Sequence, residues 1–497
     1  MKPLFIASLF FAISCSAQTN PAAAKPAAPA PASFKPIKLG GVVFSGSLRA
    51  RMEGFDWFEP TSGDNAYVYS GNILRFGFSK KLETWDWNAE FAAPILLGLP
   101  TNPVGPGAQG ALGVGANYLL ANNRSQNTAM IFPKQLYARI SKFGNSTAST
   151  LKLGRFEFQD GSETTSTNAT LANLKANRIN QRLIGPFGFS DVGRSFDGLQ
   201  YSYAKPVGTF TFVGAVPTRG VFQVDGWGWN KVAFGYGSFN KAWGSKGRHA
   251  GETRLFVIYY DDWRHVVKTD NRAAGVRAGD FANIKLWTSG GNSVHQLATH
   301  AGTLDALVWG VVQGGQWGVQ RQEAFAFDVE GGFQPKLLPK LKPWVRGGYS
   351  ITSGDNNPTD NKHETFFQIL PTPRPYAKFP FFNMENNIDR FGSLVLRPHA
   401  KVTVSSEFHS LALASAKDLW YSGRGVFQPW TFGYQGRATG GAKSLANLYD
   451  ANVEYRYSPR VTVLGYYGYA QGKSAIAAIY PKGKDGSFGY LELTLRF

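Results

Sequence analysis

Arginine recurs in this chain at every second position of short alternating stretches. Arg49 and Arg51 are set among Leu48, Ala50 and Met52, and Arg75 stands between Leu74 and Phe76. Arg456 shares a parity with Asp450, Asn452 and Glu454, while Tyr449, Ala451, Val453, Tyr455 and Tyr457 hold the other. Arg139, Arg155 and Arg346 are assigned to the polar parity of their stretches, and Arg390 joins them although its stretch alternates weakly. A guanidinium stays charged and grips a carboxylate through paired N–H donors, so several on one face suit an anion that is bound and passed on. The competing use is internal, each arginine pairing with an acid such as Glu53, Glu157, Glu407, Glu454 or Glu492, because buried charges need partners. The balance of 52 Lys and Arg against 33 Asp and Glu, a net +19, leaves more cations than acids can neutralise.

Such residues reach one face only if the stretches are strands, whose side chains alternate with a period of two. The last stretch, 487–497, sets Leu491, Leu493, Leu495 and Phe497 against Glu492, Thr494 and Arg496. Similar stretches occur at 42–57, 72–81, 85–95, 130–142, 150–159, 196–204, 209–216, 231–243, 252–262, 292–302, 304–313, 320–333, 343–353, 387–397, 401–413, 447–457 and 460–471, which with 487–497 makes about 18. Connections at 204–207, 302–304, 398–400 and 458–459 are short, whereas 96–129, 160–195, 263–291, 354–386 and 414–446 are long. An even number of strands, with short turns at one end and long loops at the other, predicts an all-β transmembrane antiparallel up-and-down barrel. The short turns are then periplasmic and the long loops extracellular. Hydrocarbon cannot satisfy an open sheet edge, so the sheet must close, with apolar positions toward lipid and polar ones toward the lumen. The stretch 252–262 breaks this rule, since Phe256, Val257, Ile258, Tyr259 and Tyr260 are apolar on both faces. Either it packs against an inserted loop or its register differs. Aromatics at 14% and 57 glycines fit aromatic girdles and glycine-bearing turns.

The N-terminus reads as an export signal over 1–17, with Lys2, an apolar run at 4–13 and Cys15-Ser16-Ala17 before the cleavage point. A rival reading takes 12–15 as a weak lipobox with Cys15 acylated. That apolar run is too short to span a bilayer as a helix, and mean hydropathy is −0.22. Residues 18–39 read as a Pro- and Ala-rich periplasmic spacer and 40–497 as the barrel. Cys15 is the single cysteine, which excludes an internal disulfide or a thiolate metal site. A pI near 9.7 calls for a polyanionic partner. Export argues against nucleic acid, leaving lipopolysaccharide phosphates, an acidic polymer or small anions.

Two blocks carry a family resemblance. Leu153-Gly154-Arg155-Phe156-Glu157-Phe158, Gly161-Ser162-Glu163, Arg178, Arg182-Leu183-Ile184-Gly185 and Val192-Gly193-Arg194-Ser195-Phe196-Asp197-Gly198 form the first. Gly348-Tyr349, Thr352-Ser353-Gly354-Asp355-Asn356-Asn357-Pro358, Thr365-Phe366-Phe367 and Leu370-Pro371 form the second. Together they resemble the alginate export porin family. The resemblance implies an 18-stranded outer-membrane barrel whose electropositive constriction passively exports an anionic polysaccharide such as alginate. It implies a monomer without cofactors, set in outer-membrane lipid and lipopolysaccharide and served by periplasmic export machinery. The alternative is a porin for small anionic solutes. Carried over, Arg155 and Arg194 come first, the loop 160–195 returning Arg194 to the wall beside Arg155. Arg51, Arg75, Arg139, Arg346, Arg390 and Arg456 follow. The bracing alternative pairs Arg155 with Glu157 or a cross-strand acid, and Arg194 with Asp197. The short turn at Ser458-Pro459 departs from family members with a long periplasmic gating turn there.

Other signals are weak. Residues 355–360 look like a calcium loop but lack the sixth-position Gly and the closing Glu, so an Asx turn is the competing reading. His295 and His300 share no zinc spacing, and His249, His265, His363, His399 and His409 stand alone. A lipid-face hydrolase could be imagined from His409 with Ser405 or Ser410, but nothing supplies a third, orienting group, and the chain is read as a non-enzyme. An anchor or adhesin barrel would instead have a plugged lumen with paired charges.

Overall fold

The computed structural model describes residues 37–244, 248–422 and 425–497. The expected signal, the Cys15 acylation site and the spacer up to residue 36 lie outside the described residues. Eighteen long strands close into one antiparallel barrel. They are β1 (Val42–Asp56), β2 (Ala66–Lys81), β3 (Trp85–Leu97), β4 (Phe132–Ser141), β5 (Ser149–Phe156), β6 (Phe196–Lys205), β7 (Gly208–Pro217), β8 (Val232–Trp243) and β9 (His249–Asp262). The second half comprises β10 (Ile284–Ala298), β11 (Gly302–Trp317), β12 (Gln320–Pro335), β13 (Trp344–Thr352), β14 (Asn387–His399), β15 (Val402–Ala412), β16 (Ser444–Arg456), β17 (Val461–Gly472) and β18 (Asp485–Arg496). Each pairs with the next, and β18 pairs with β1 from Ser47↔Arg496 to Asp56↔Ser487, so no edge stays open. Ile37–Leu39, read as the end of the spacer, is already a strand paired with the start of β1.

At one end the connections are short, from two residues at 206–207 and three at 82–84 to eight at 336–343. The other end carries the loops 98–131, 157–195, 353–386 and 413–443, together with one two-residue turn at 318–319. The loop expected to run to residue 291 ends earlier, because β10 starts at Ile284. Gly290-Gly291, read as loop, lies mid-strand: a Cβ on Gly290 would fall 2.1 Å from the Gly310 carbonyl oxygen of the neighbouring strand, so glycine here permits close strand approach.

Outside, Met52, Val68, Leu153, Val312, Leu491 and Leu493 form part of an exposed apolar band. Inside, the barrel is not simply polar. Wall residues Tyr69, Leu96 and Leu448 share one buried cluster with the loop residues Leu119, Phe187, Phe379 and Phe427. Phe156, Phe256, Ile258, Tyr260 and Trp309 share another with Leu171, Leu183, Phe366 and Leu370. The long loops therefore fold into the bore, and 252–262 is apolar on both faces because one meets lipid and the other meets these loops. Gly71 marks how close they come, since a Cβ there would lie 2.1 Å from the Asp191 carboxylate. A parallel bridge between Ile184 and Leu370 ties two of the loops together.

An apolar interior reverses parity where apolar residues point inward. Phe156 is fully buried inside, so its neighbour Arg155 points outward, paired in register with exposed Leu136 and with Asp197. Phe391 faces inward likewise, leaving Arg390 exposed on the outer face, in register with Tyr349. The expected inward positions of Arg155 and Arg390 are thus corrected. The imagined lipid-face position of His409 fails for the same reason, as it is fully buried beside Phe391.

Candidate functional site

Four arginines descend the inner wall from β1 to β4. Arg51 and Arg49 follow one another down β1, and Arg75 on β2 pairs in register with Ser47, one step lower. Arg139 lies near the periplasmic end of β4, opposite Asp86 of β3. Side-chain exposure rises along this stair, from 3% at Arg51 and 15% at Arg49 to 28% at Arg75 and 45% at Arg139. Every step has an acid beside it. Arg51 donates to Glu492 at 2.6 Å, Arg49 to Asp191 at 3.1 Å, Arg75 to Glu157 at 2.9 Å and also to Glu90, and Arg139 meets Asp86 at 2.7 Å. Glu157 sits just past β5, where the chain has already turned into the bore.

The upper steps are clasped by the inserted loop. Arg49 donates to the carbonyls of Gly188 and Ser190, and Arg51 to that of Phe189. The Arg51 guanidinium is sandwiched 4.7 Å from both the Phe189 and Tyr490 rings. Lys134, a bulged residue of β4, donates to the carbonyls of Val192 and Arg194 and stands 3.6 Å from Glu157.

Arg194 turns away from this wall. It is fully buried and reaches two carbonyls, Val426 at 3.1 Å and Pro371 at 3.3 Å, with the Phe187 ring 5.8 Å away. Burial pulls its guanidinium down to about 10. It fastens the 157–195 loop to 353–386 and 413–443. Arg155, on the outer face, grips Asp197 through two bonds of 2.7 Å and donates to the carbonyls of Pro133, Gly226 and Trp227. Trp229 donates to the same Asp197 at 2.6 Å, and both Trp227 and Trp229 are exposed, as in a rim belt. Arg155 and Arg194 therefore share no partner and form no common constriction. The cross-strand acid, not Glu157, pairs with Arg155, and Asp197 is not the partner of Arg194.

A second cluster lies across the bore. Arg346 on β13 meets Asp305 and Glu330, the latter at 2.7 Å. Arg178 donates to Glu330 at 2.8 Å and Arg182 meets Asp328 at 2.7 Å. Both loop arginines follow the short helix Ala169–Leu174, which Asn168 caps by accepting from the Thr170 and Leu171 N–H groups. Arg178 and Arg182 stand in the first family-like block, and their four-residue spacing in a loop rich in apolar residues is the signal that marks them in the sequence. Lys134 has no such signal, because the bulge that turns it inward has no sequence mark. Arg456 keeps its inward parity at the periplasmic rim, pairs with Glu454 at 2.5 Å and is 63% exposed. Asp355 accepts the Asn357 N–H at 2.8 Å, which is the Asx turn rather than a calcium loop.

A family model described as alginate export matches residues 120–478, well over half of the chain. No curated protein sequence matches. Among solved structures, OccK9 (OpdG) of Pseudomonas aeruginosa is similar with a TM-score of 0.56 at 11% identity, over 92% of this chain and 98% of that one. A BenF-like porin from Pseudomonas fluorescens Pf-5 has a TM-score of 0.56 at 9% identity, over 92% and 99%. OpdK of Pseudomonas aeruginosa, solved with vanillate, has a TM-score of 0.54 at 10% identity, over 91% and 98%.

Proposed function

We propose, from the premise that this chain belongs to the alginate export family, that it is a monomeric outer-membrane channel through which an anionic polysaccharide such as alginate passes outward without energy input. The observation that carries this reading is the arginine stair on β1 to β4. Its steps are spaced along the pore axis, each guanidinium is pre-oriented by protein carboxylates, and the lower ones keep contact with solvent. A carboxylate of the polymer exchanges with Asp86, Glu90 or Glu157 at one arginine and moves to the next. Several moderate sites permit exit where one tight site would trap the cargo. The net charge of +19 concentrates polyanions at the entrance. Arg155 and Arg390 drop out of this pathway, and Arg194 serves it by holding the plug.

A second reading, a porin for small anions, draws on the neighbour solved with vanillate, itself a carboxylate. Conductance of the purified barrel in planar bilayers separates the two. Block by polyuronate added on the periplasmic side, weakened in Arg75→Gln and Arg139→Gln, supports the polymer. Block by monomeric carboxylates alone supports the small-anion reading, and block by neither refutes both. A barrel that does not conduct supports the anchor reading, with whose expected plugged lumen and paired charges the inserted loops and ion pairs agree.

A further inference from the structure

One histidine is built into the inner wall with an unused edge. His409 of β15 is fully buried. Its Nδ1 faces both oxygens of Asp389 on β14, at 2.9 and 3.1 Å. Nε2 has no hydrogen-bond partner, and Glu407 Oε2, at 3.8 Å, is too far for one. Asp450 of β16 is 3% exposed, and the Tyr466 hydroxyl donates to its Oδ1 at 2.8 Å while Oδ2 has no partner. Ligand atoms of His409, Glu407 and Asp450 lie within 4.8 Å of one another. The arrangement follows from sheet geometry. Glu407 and His409 are two residues apart and share a face, and Asp450 stands directly opposite Glu407 in register.

We propose that His409 Nε2, Glu407 and Asp450 form a site for a divalent transition-metal cation of the zinc class in the inner wall of the barrel. One imidazole nitrogen with two carboxylates is a donor set for such a cation. Asp389 accepts a hydrogen bond from Nδ1–H, which leaves Nε2 as the lone-pair nitrogen, the usual carboxylate–histidine–metal arrangement. Ligands about 2.0–2.1 Å from a tetrahedral zinc stand roughly 3.4 Å apart, so the 3.8 Å between Nε2 and Glu407 closes with a small shift. Three acids around a neutral imidazole accommodate a dication even with the Lys378 ammonium nearby, over the Tyr466 ring at 5.7 Å. The competing arrangement is an imidazolium bridging Asp389 and Glu407, a proton where the metal would be.

Cobalt(II) is the probe. The full barrel, purified in detergent and stripped with a chelator, is titrated with Co2+ while the visible absorption of low-coordinate cobalt is followed. Folding of every variant is checked by heat-modifiable gel mobility. The expected result is saturation at one equivalent, displacement by Zn2+, loss in His409→Gln and in Asp450→Asn, and weakening by about 10–100-fold in Asp389→Asn. The exposed His249–His295 pair, 3.1 Å apart at the periplasmic rim, is removed in the His249→Gln/His295→Gln control, which should keep the signal. Should His409→Gln fail to fold, Asp450→Asn decides, since its amide can still accept from Tyr466. No cobalt spectrum in the parent, or one that survives both ligand variants, overturns the site.

Discussion

An arginine on a barrel strand does one of two jobs, and the face it occupies decides which. Arg155 and Arg75 both make bidentate or double contacts with acids, yet Arg155 locks Asp197 and three carbonyls beneath two exposed tryptophans, while Arg75 fronts the bore. Arg155→Gln should therefore leave ion selectivity unchanged and lower stability by roughly 1–3 kcal/mol, the cost of stranding partly buried polar groups. Equilibrium unfolding in urea together with reversal potentials checks both halves. A shift in selectivity would return Arg155 to the pathway. The same face logic applies to the last strand. Leu493 is exposed toward lipid, and Leu493→Arg should cost about 2–4 kcal/mol if it lies near the bilayer midplane. Thr494→Arg, on the lumen face beside Glu492, should cost much less. Folding into lipid vesicles compares the two, and equal penalties would mean that the faces of β18 are reversed.

The strands were legible because their period is local, and the loops were not because what fills a bore is a long-range fact. Alternation placed Arg49, Arg51, Arg75, Arg139 and Arg346 inward, where they are. It failed at Arg155 and Arg390 because Phe156 and Phe391 pack on loop residues inside, a contact that no spacing announces. The five apolar residues from Phe256 to Tyr260 are a trace of the plug in the wall's own sequence. The loops also carry a pH lever. Glu385, just before β14, is buried with Asn383 donating to it at 2.7 Å. Burial, opposed by the bonds from Asn383 and Gln368, pushes its carboxyl from 4.5 up to about 8. A carboxyl with a raised folded value is neutral in place and ionises on release, so the docked state loses stability as pH climbs from the unfolded value to the folded one. Opening events of the 353–386 loop should become more frequent between about pH 5 and 8, and Glu385→Gln should flatten that rise. Single-channel recordings across this range carry the test, and a parent without any slope would remove Glu385 as the lever.

At the scale of the molecule, the fold combines a closed wall, an inserted plug and a one-sided stair of guanidiniums, and the proposed function makes charge the basis of the channel's preference. Each stair arginine already has an acid, so the proposed selectivity must come from exchange at the partly exposed cations and from the surplus of +19. Screening weakens such a preference once the Debye length falls below the bore, so the effect is largest at low ionic strength. The measurement that bears most directly on this is the reversal potential across a planar bilayer in a dilute salt gradient, for the parent and for Arg75→Gln/Arg139→Gln. A parent that prefers anions and a folded double variant that loses most of that preference is the predicted result. A parent that prefers cations, or a double variant as anion-selective as the parent, would contradict the stair as the pathway.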